Sequence, residues 1–275
     1  MRRETVSNPY IAPHLAELPL HRVLIRSSEC LLLSETPFER PLLDIGSGDG
    51  HFAATLFPEP VDVGIDPDPR TMREAARRRG HRNLIVASAT SLPLKDASFA
   101  SVLSNSTLEH IPDVDAAVAE AARVLRPGGL LAATFPSEHF GEYLLFASLP
   151  RGLGLRGLGR AYGRWFNRIS YHYHVDGPDT WRRRFESAGL EVLRWRYYFP
   201  ARNHWLFDLS HYLSAPALVT RRLLGRWVLF PQKARLGLLN RALTPFCSHG
   251  PEDRGAYLFF LCRRPPAQGQ AQEAL

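Results

Sequence analysis

Apolar and polar positions follow two alternating rhythms along the middle of this chain. Short apolar runs stand at 41–45 (PLLDI), 61–65 (VDVGI), 84–87 (LIVA), 99–104 (FASVLS) and 129–135 (GLLAATF). Segments with helical spacing separate them, at 49–57, 69–79 and 113–126. Strand, helix and strand repeated in this order predict a parallel sheet with right-handed crossovers and helices on both faces. The plainest helix opens at Asp113, a suitable cap, and sets Val114, Ala117, Val118, Ala121 and Leu125 on one face. Its expected stop is Pro127-Gly128-Gly129. Residues 1–40 carry roughly helical spacing and predict one or two helices before the first strand.

Beyond 136 the rhythm breaks. Residues 136–177 are aromatic, glycine-rich and irregular, and a helix over "GPDTWRRRFESAGL" follows, with Pro178 in its first turn and Gly189 at its stop. Two further strands are expected, at 191–199 and 255–264. The segment between them is too long for an ordinary loop and should form helices of its own. No repeat of fixed period appears.

Composition narrows the class. Hydrophobic residues make up 45% of the 275 residues and charged ones 22%, as in ordinary globular proteins. The net charge is +7, but Lys95 and Lys233 are the only lysines, so the excess is arginine. Runs such as "RRR" at 77–79 and 182–184 fall on expected helices and read as solvated faces; no nucleic-acid partner is expected. Cys30, Cys247 and Cys262 lack metal-type spacing and are odd in number, which argues for a reducing compartment and against a metal site. The N-terminus has no continuous apolar stretch of signal-peptide type, and no run suits a spanning helix. A cytoplasmic protein is expected, with attachment to a membrane surface left open.

The candidate chemistry begins at "LLDIGSGDGHFA", residues 42–53. A strand running through Gly46, Gly48 and Gly50 into a helix is a nucleotide-type turn, where bare backbone lets a ligand approach. Dinucleotide binding would want a small residue where His51 stands. Two acids complete the pattern: Asp44 just before the turn, and Asp66 at the end of the next strand, placed for ribose hydroxyls.

Taken with "VGIDPDPR", "LPLKDASFASVLSNSTLEHIPD" and "EAARVLRPGGLL", this stretch resembles the successive motifs of class I S-adenosylmethionine-dependent methyltransferases, in particular the ubiquinone/menaquinone and type 11 group, over about 42–135. The resemblance implies an α/β, Rossmann-like, doubly wound sheet of seven strands, the last antiparallel, with "GAYLFFLCRR" as that strand. It implies an N-terminal helical cap (1–40), a cofactor-binding core (41–135), a remainder of the same domain (136–264) with helical substrate-covering insertions at 136–177 and 200–254, and a flexible tail (265–275). S-adenosylmethionine is the implied cofactor. Asp44, Gly46, Ser47 and Gly48, with Gly50 completing the turn, would surround its methionine part. Asp66 would hold the ribose and Pro67 would lie against adenine, with Ser88 and Ala89 bordering that ring. Asn105 would close over the methionine end. The chain departs from the family at Ser88, where an acid is usual, and at Ala100, where the usual acid is missing.

Methyl transfer needs a base only where the acceptor must lose a proton. His110 and His139 are the candidates, each just after a strand of the expected sheet; His172 and His174 read as pocket wall. In 200–254, bulky apolar residues alternate with Arg221, Arg222, Arg226, Lys233, Arg235 and Arg241, which suits a lid or a helix in a membrane interface. The expected acceptor is a small apolar or amphipathic molecule such as a lipid, quinone or polyketide. An RNA or protein methyltransferase, a non-catalytic cofactor-binding protein and a dehydrogenase are the alternatives. The pattern leaves the oligomeric state open.

Overall fold

The computed structural model describes residues 8–224, 227–228, 233–247 and 252–266. The chain runs α1 (Ile11–Glu17), α2 (Leu20–Leu33), β1 (Leu42–Ile45), α3 (His51–Leu56), β2 (Val61–Asp66), α4 (Pro69–Arg78), β3 (His81–Val86), β4 (Phe99–Asn105), α5 (Val114–Val124) and β5 (Leu125–Pro136). It continues through α6 (Phe140–Tyr143), α7 (Leu145–Gly152), α8 (Arg156–Ile169), α9 (Pro178–Ser187), β6 (Glu191–Tyr198), α10 (Ala201–Leu213), α11 (Ala215–Leu224), α12 (Lys233–Leu243) and β7 (Tyr257–Arg263).

The seven strands form one sheet in the order β3-β2-β1-β4-β5-β7-β6. Pairs β1–β2, β1–β4, β2–β3 and β4–β5 are parallel, and β7 runs antiparallel to β5. The strand order reverses beside β1, which has β2 on one side and β4 on the other. Ligands of such sheets collect at that point, outside the carboxyl ends of the strands.

Contacts divide the chain into two interleaved units. One comprises Met1–Glu35, His139–Ser170 and Tyr197–Ala256; the other comprises Thr36–Glu138, Tyr171–Arg196 and Tyr257–Leu275. The second, sheet-bearing unit is cored by Leu43, Val102, Leu103, Leu131, Phe135 and Phe259, all fully or nearly fully buried. On it Phe135 stacks against Trp181 of α9 at 3.7 Å between ring centroids. The first unit is helical and packs Ile11, Leu24, Phe140, Phe166 and Phe207.

Several local expectations change. Asp113 caps α5 by accepting from the Ala116 amide at 3.2 Å, but the helix ends at Val124, before the Pro-Gly-Gly stop. Leu125 pairs with Phe99 and Leu130 with Ser101, so residues 126–129 bulge within β5 rather than ending a helix, with Gly128 at φ +82°. β3 starts at His81, not 84, because Val61 and Val63 pair with the polar His81 and Asn83. The stretch 136–177 is mostly helical. Its glycines are contact points: Gly141 and Gly163 abut each other, and a Cβ on Gly159 would overlap the Ala147 carbonyl. Arg184, read as solvated, instead lies over Trp181 at 4.8 Å and pairs with Asp176 at 2.7 Å. Arg226 and the tail from 267 lie outside the described residues.

Candidate active site at the carboxyl edge of the sheet

Register sets the site. Ile45 pairs with Ile65, Asp66 with Val86 and Asn105 with Thr134, so the ends of β1 to β5 present one edge. On it stand Asp44 with the glycine turn, Asp66, Pro67, Ser88, Ala89 and Asn105, all in the sheet-bearing unit.

The turn is held by its own main chain. The amides of Gly46 and Ser47 both donate to the Ile65 carbonyl, at 2.8 and 2.9 Å, and the Gly50 amide donates to Ser47 O at 3.1 Å. All three glycines have positive φ, +78°, +54° and +75°. The reason for glycine differs at each. A Cβ on Gly46 would overlap the Thr107 side chain, and one on Gly50 would lie 3.3 Å from Ala75 of α4. At Gly48 the nearest atom is a turn carbonyl at 4.0 Å, so this residue alone offers an open face. Ser47 is buried and directs its hydroxyl at the Met72 sulfur.

Asp66 ties β2 to that turn. Its carboxylate accepts from the Gly48 amide at 3.2 Å and the Asp68 amide at 2.9 Å. Burial raises its pKa above the usual carboxylate range, the two amides oppose that shift, and the nearby charges of Asp68 and Asp44 add to it. Pro67 and Ser88 are exposed, Ala89 is buried and Val86 is 54% exposed, leaving an open shelf beyond β2 and β3. The Ser88 hydroxyl is engaged with Thr90 at 2.7 Å. Asn105 is buried and accepts from the Thr134 hydroxyl at 2.7 Å, while Ser106 turns the chain at φ +47°.

Asp44 is buried, 2.9 Å from Nε2 of His81. Sequence reasoning missed that histidine. Its ring lies over Gly64, where an added Cβ would come within 2.6 Å of it. Gly64 pairs with Asp44 in the neighbouring strand, so a bare β2 residue lets a β3 side chain reach β1. The signal was present: a glycine inside "VDVGID" marks a close approach.

The candidate bases separate. His110 ends a one-turn 3-10 helix, Leu108–His110, and its Nδ1 lies 3.1 Å from the Tyr171 carbonyl. His172 packs beside it at 5.2 Å between centroids, its pKa lowered to about 3 by burial first and His110 second. His174 is fixed by the carbonyls of Ile111 and Pro112. His139 belongs to the first unit, stacked on Tyr143 and near Tyr197.

Residues 43–133 match the family model described as a methyltransferase domain. A protein named an uncharacterized methyltransferase from Mycobacterium sp. (strain JLS) is 42% identical over 96 residues, 34% of this chain and 38% of the relative. Another of that name, from Mycobacterium ulcerans (strain Agy99), is 39% identical over 160 residues, 57% of this chain and 60% of the relative. The chain thus spans less than two thirds of these relatives. A Thermotoga maritima structure described as a SAM-dependent methyltransferase, possible histamine N-methyltransferase, matches with a TM-score of 0.54 at 20% identity, over 89% of this chain and 90% of that one. A geranyl diphosphate methyltransferase in complex with SAM matches with a TM-score of 0.56 at 14% identity, over the same shares. These two likenesses establish the fold. Residues 43–133 thus match a methyltransferase domain in sequence, within a sheet of the fold those two structures share.

Proposed function

We propose that the protein transfers a methyl group from S-adenosylmethionine to a small apolar or amphipathic acceptor. The observation that carries this reading is the open Gly48 turn joined to Asp66 at the carboxyl edge of a segment that matches the methyltransferase domain model. The residues fit the cofactor. Asp66 has lone pairs beyond the two amides it accepts, enough for ribose hydroxyls. Pro67, Ser88 and Ala89 border a shelf for a flat base, and Asp44 supplies a negative charge next to the turn.

When bound, the sulfonium supplies an electrophilic methyl group. The chain's own part is to fix donor and acceptor within attack distance, which can be worth an effective molarity of about 10⁵ M or more. The Asp44–His81 pair holds the acid in place, and the Asn105–Thr134 hydrogen bond fixes the side-chain amide at the end of β4. His110, in the same unit as the turn, is the proton acceptor of this reading.

The acceptor class rests on the first unit. There Leu153, Leu158, Leu213, Leu223 and Leu238 are each more than half exposed, and Arg222 and Arg241 are exposed on the same helical additions. Such a surface suits an apolar molecule or the membrane that holds it. No helix among the described residues is long and apolar enough to cross a membrane. Incubation with isotopically labelled S-adenosylmethionine and cell extract should place label in the organic-solvent fraction. Label confined to small polar compounds would overturn the acceptor class, and label in RNA or protein would favour the macromolecular alternative.

A further inference from the structure

We propose that Glu109, His110 and His172 form a binding site for a divalent transition-metal ion, of the kind zinc fills. The sequence offered no such set, because His172 lies far along the chain from the "LEH" tripeptide. Folding brings one ligand atom from each residue within 4.8 Å of the others.

Three observations carry the site. First, Glu109 is 1% exposed, and a carboxylate in so dry a setting attracts a cation strongly. Second, a carbonyl oxygen can only accept, so the contact with Tyr171 O places a proton on His110 Nδ1. In the neutral ring Nε2 then carries a lone pair, and it lies 3.7 Å from Glu109 Oε1. Both atoms carry lone pairs that one cation between them could share. A second proton on His110 would serve that contact alone; a metal ion serves the carboxylate and both imidazoles together. Third, the frame is built. The amides of Tyr173 and His174 donate to the Glu109 main-chain carbonyl at 2.8 and 3.3 Å, binding the His172 segment to the turn that bears the other two ligands.

One carboxylate and two imidazoles suit zinc or ferrous iron, with remaining positions open to water or substrate. A backbone carbonyl on the far nitrogen is how ligating histidines are oriented. Zinc bonds of about 2.0–2.2 Å require the three ligand atoms to close in by about 1 Å. The site follows β4 by a few residues, at the same edge as Asn105. Nε2 of His110 cannot both ligate and act as a base. With an ion bound, an acceptor hydroxyl would be activated by coordination instead.

The test uses full-length protein stripped with a chelator and titrated with zinc chloride in a calorimeter, with metal content read by mass spectrometry. The expected result is one zinc per chain, with affinity at least about tenfold weaker in His172→Ala and in Glu109→Gln than in the parent. Equal affinity in parent and variants would overturn the site, as would no uptake by the parent. Should the variants fail to fold, the parent loaded with cobalt(II) decides. Nitrogen–oxygen ligation supports the site, and a thiolate spectrum or no cobalt binding rejects it. The readout is metal binding, so its failure leaves the methyl-transfer reading standing.

Discussion

At the scale of single residues, the three glycines of one turn answer to three different pressures. Gly46 gives way to Thr107 and Gly50 to Ala75, whereas Gly48 faces open space. In Gly46→Ala, overlap with Thr107 adds to the cost of positive φ. Gly48→Ala bears only the backbone cost, about 1–2 kcal/mol. Urea denaturation should therefore find Gly46→Ala at least about 1 kcal/mol less stable than Gly48→Ala, with part of the difference recovered by adding Thr107→Ala. Equal losses would show that Thr107 does not set this position. The sequence made all three glycines look like ligand approaches. The partners that claim two of them, Thr107 and Ala75, are remote in sequence, so nothing local could tell the three apart.

At the scale of elements, β2 joins the two acids of the site through a residue with no side chain. Gly64 leaves room for His81 to cross from β3 to Asp44. Gly64→Ala should push the ring aside, cost about 1–3 kcal/mol in denaturation, and weaken cofactor binding by loosening Asp44. An unchanged melting temperature and affinity would show that this crossing carries no weight. Most strands and the α4, α5 and α9 helices were legible, because burying one face imposes a period on the sequence. Two kinds of element were not. The start of β3 is polar and gains its strand character from pairing with Val61 and Val63. The α6–α8 segment hides its contacts in Gly141, Gly159 and Gly163, which read as breakers although they are where helices touch.

At the scale of the whole molecule, the two units differ in how openly the sequence declares them. The sheet-bearing unit follows a motif order that the residues display, and its candidate cofactor residues gather at one edge; His139 belongs to the helical unit. The helical unit buries polar groups that periodicity does not announce. His21 is one: its pKa is lowered to about 3 by burial, then by His211 and Arg22. The Nδ1 atoms of His21 and His211 are both buried without a hydrogen-bond partner among the described residues. An unfolded histidine takes a proton near pH 6.5, while folded His21 stays neutral to about 3. Acidification thus favours unfolding, and stability should fall as pH drops below about 6.5, by up to about 1.4 kcal/mol per pH unit from this group. His21→Phe should flatten that slope in melts taken at several pH values, and an unaltered slope would place the acid sensitivity elsewhere. The claim on which the functional account stands is that the turn at 46–50 and Asp66 hold S-adenosylmethionine. Calorimetric titration of the intact protein with S-adenosylhomocysteine measures it most directly. One site per chain, weakened at least about tenfold in Asp66→Ala, is the predicted result; no heat from the parent protein, or equal affinity in the variant, would contradict it.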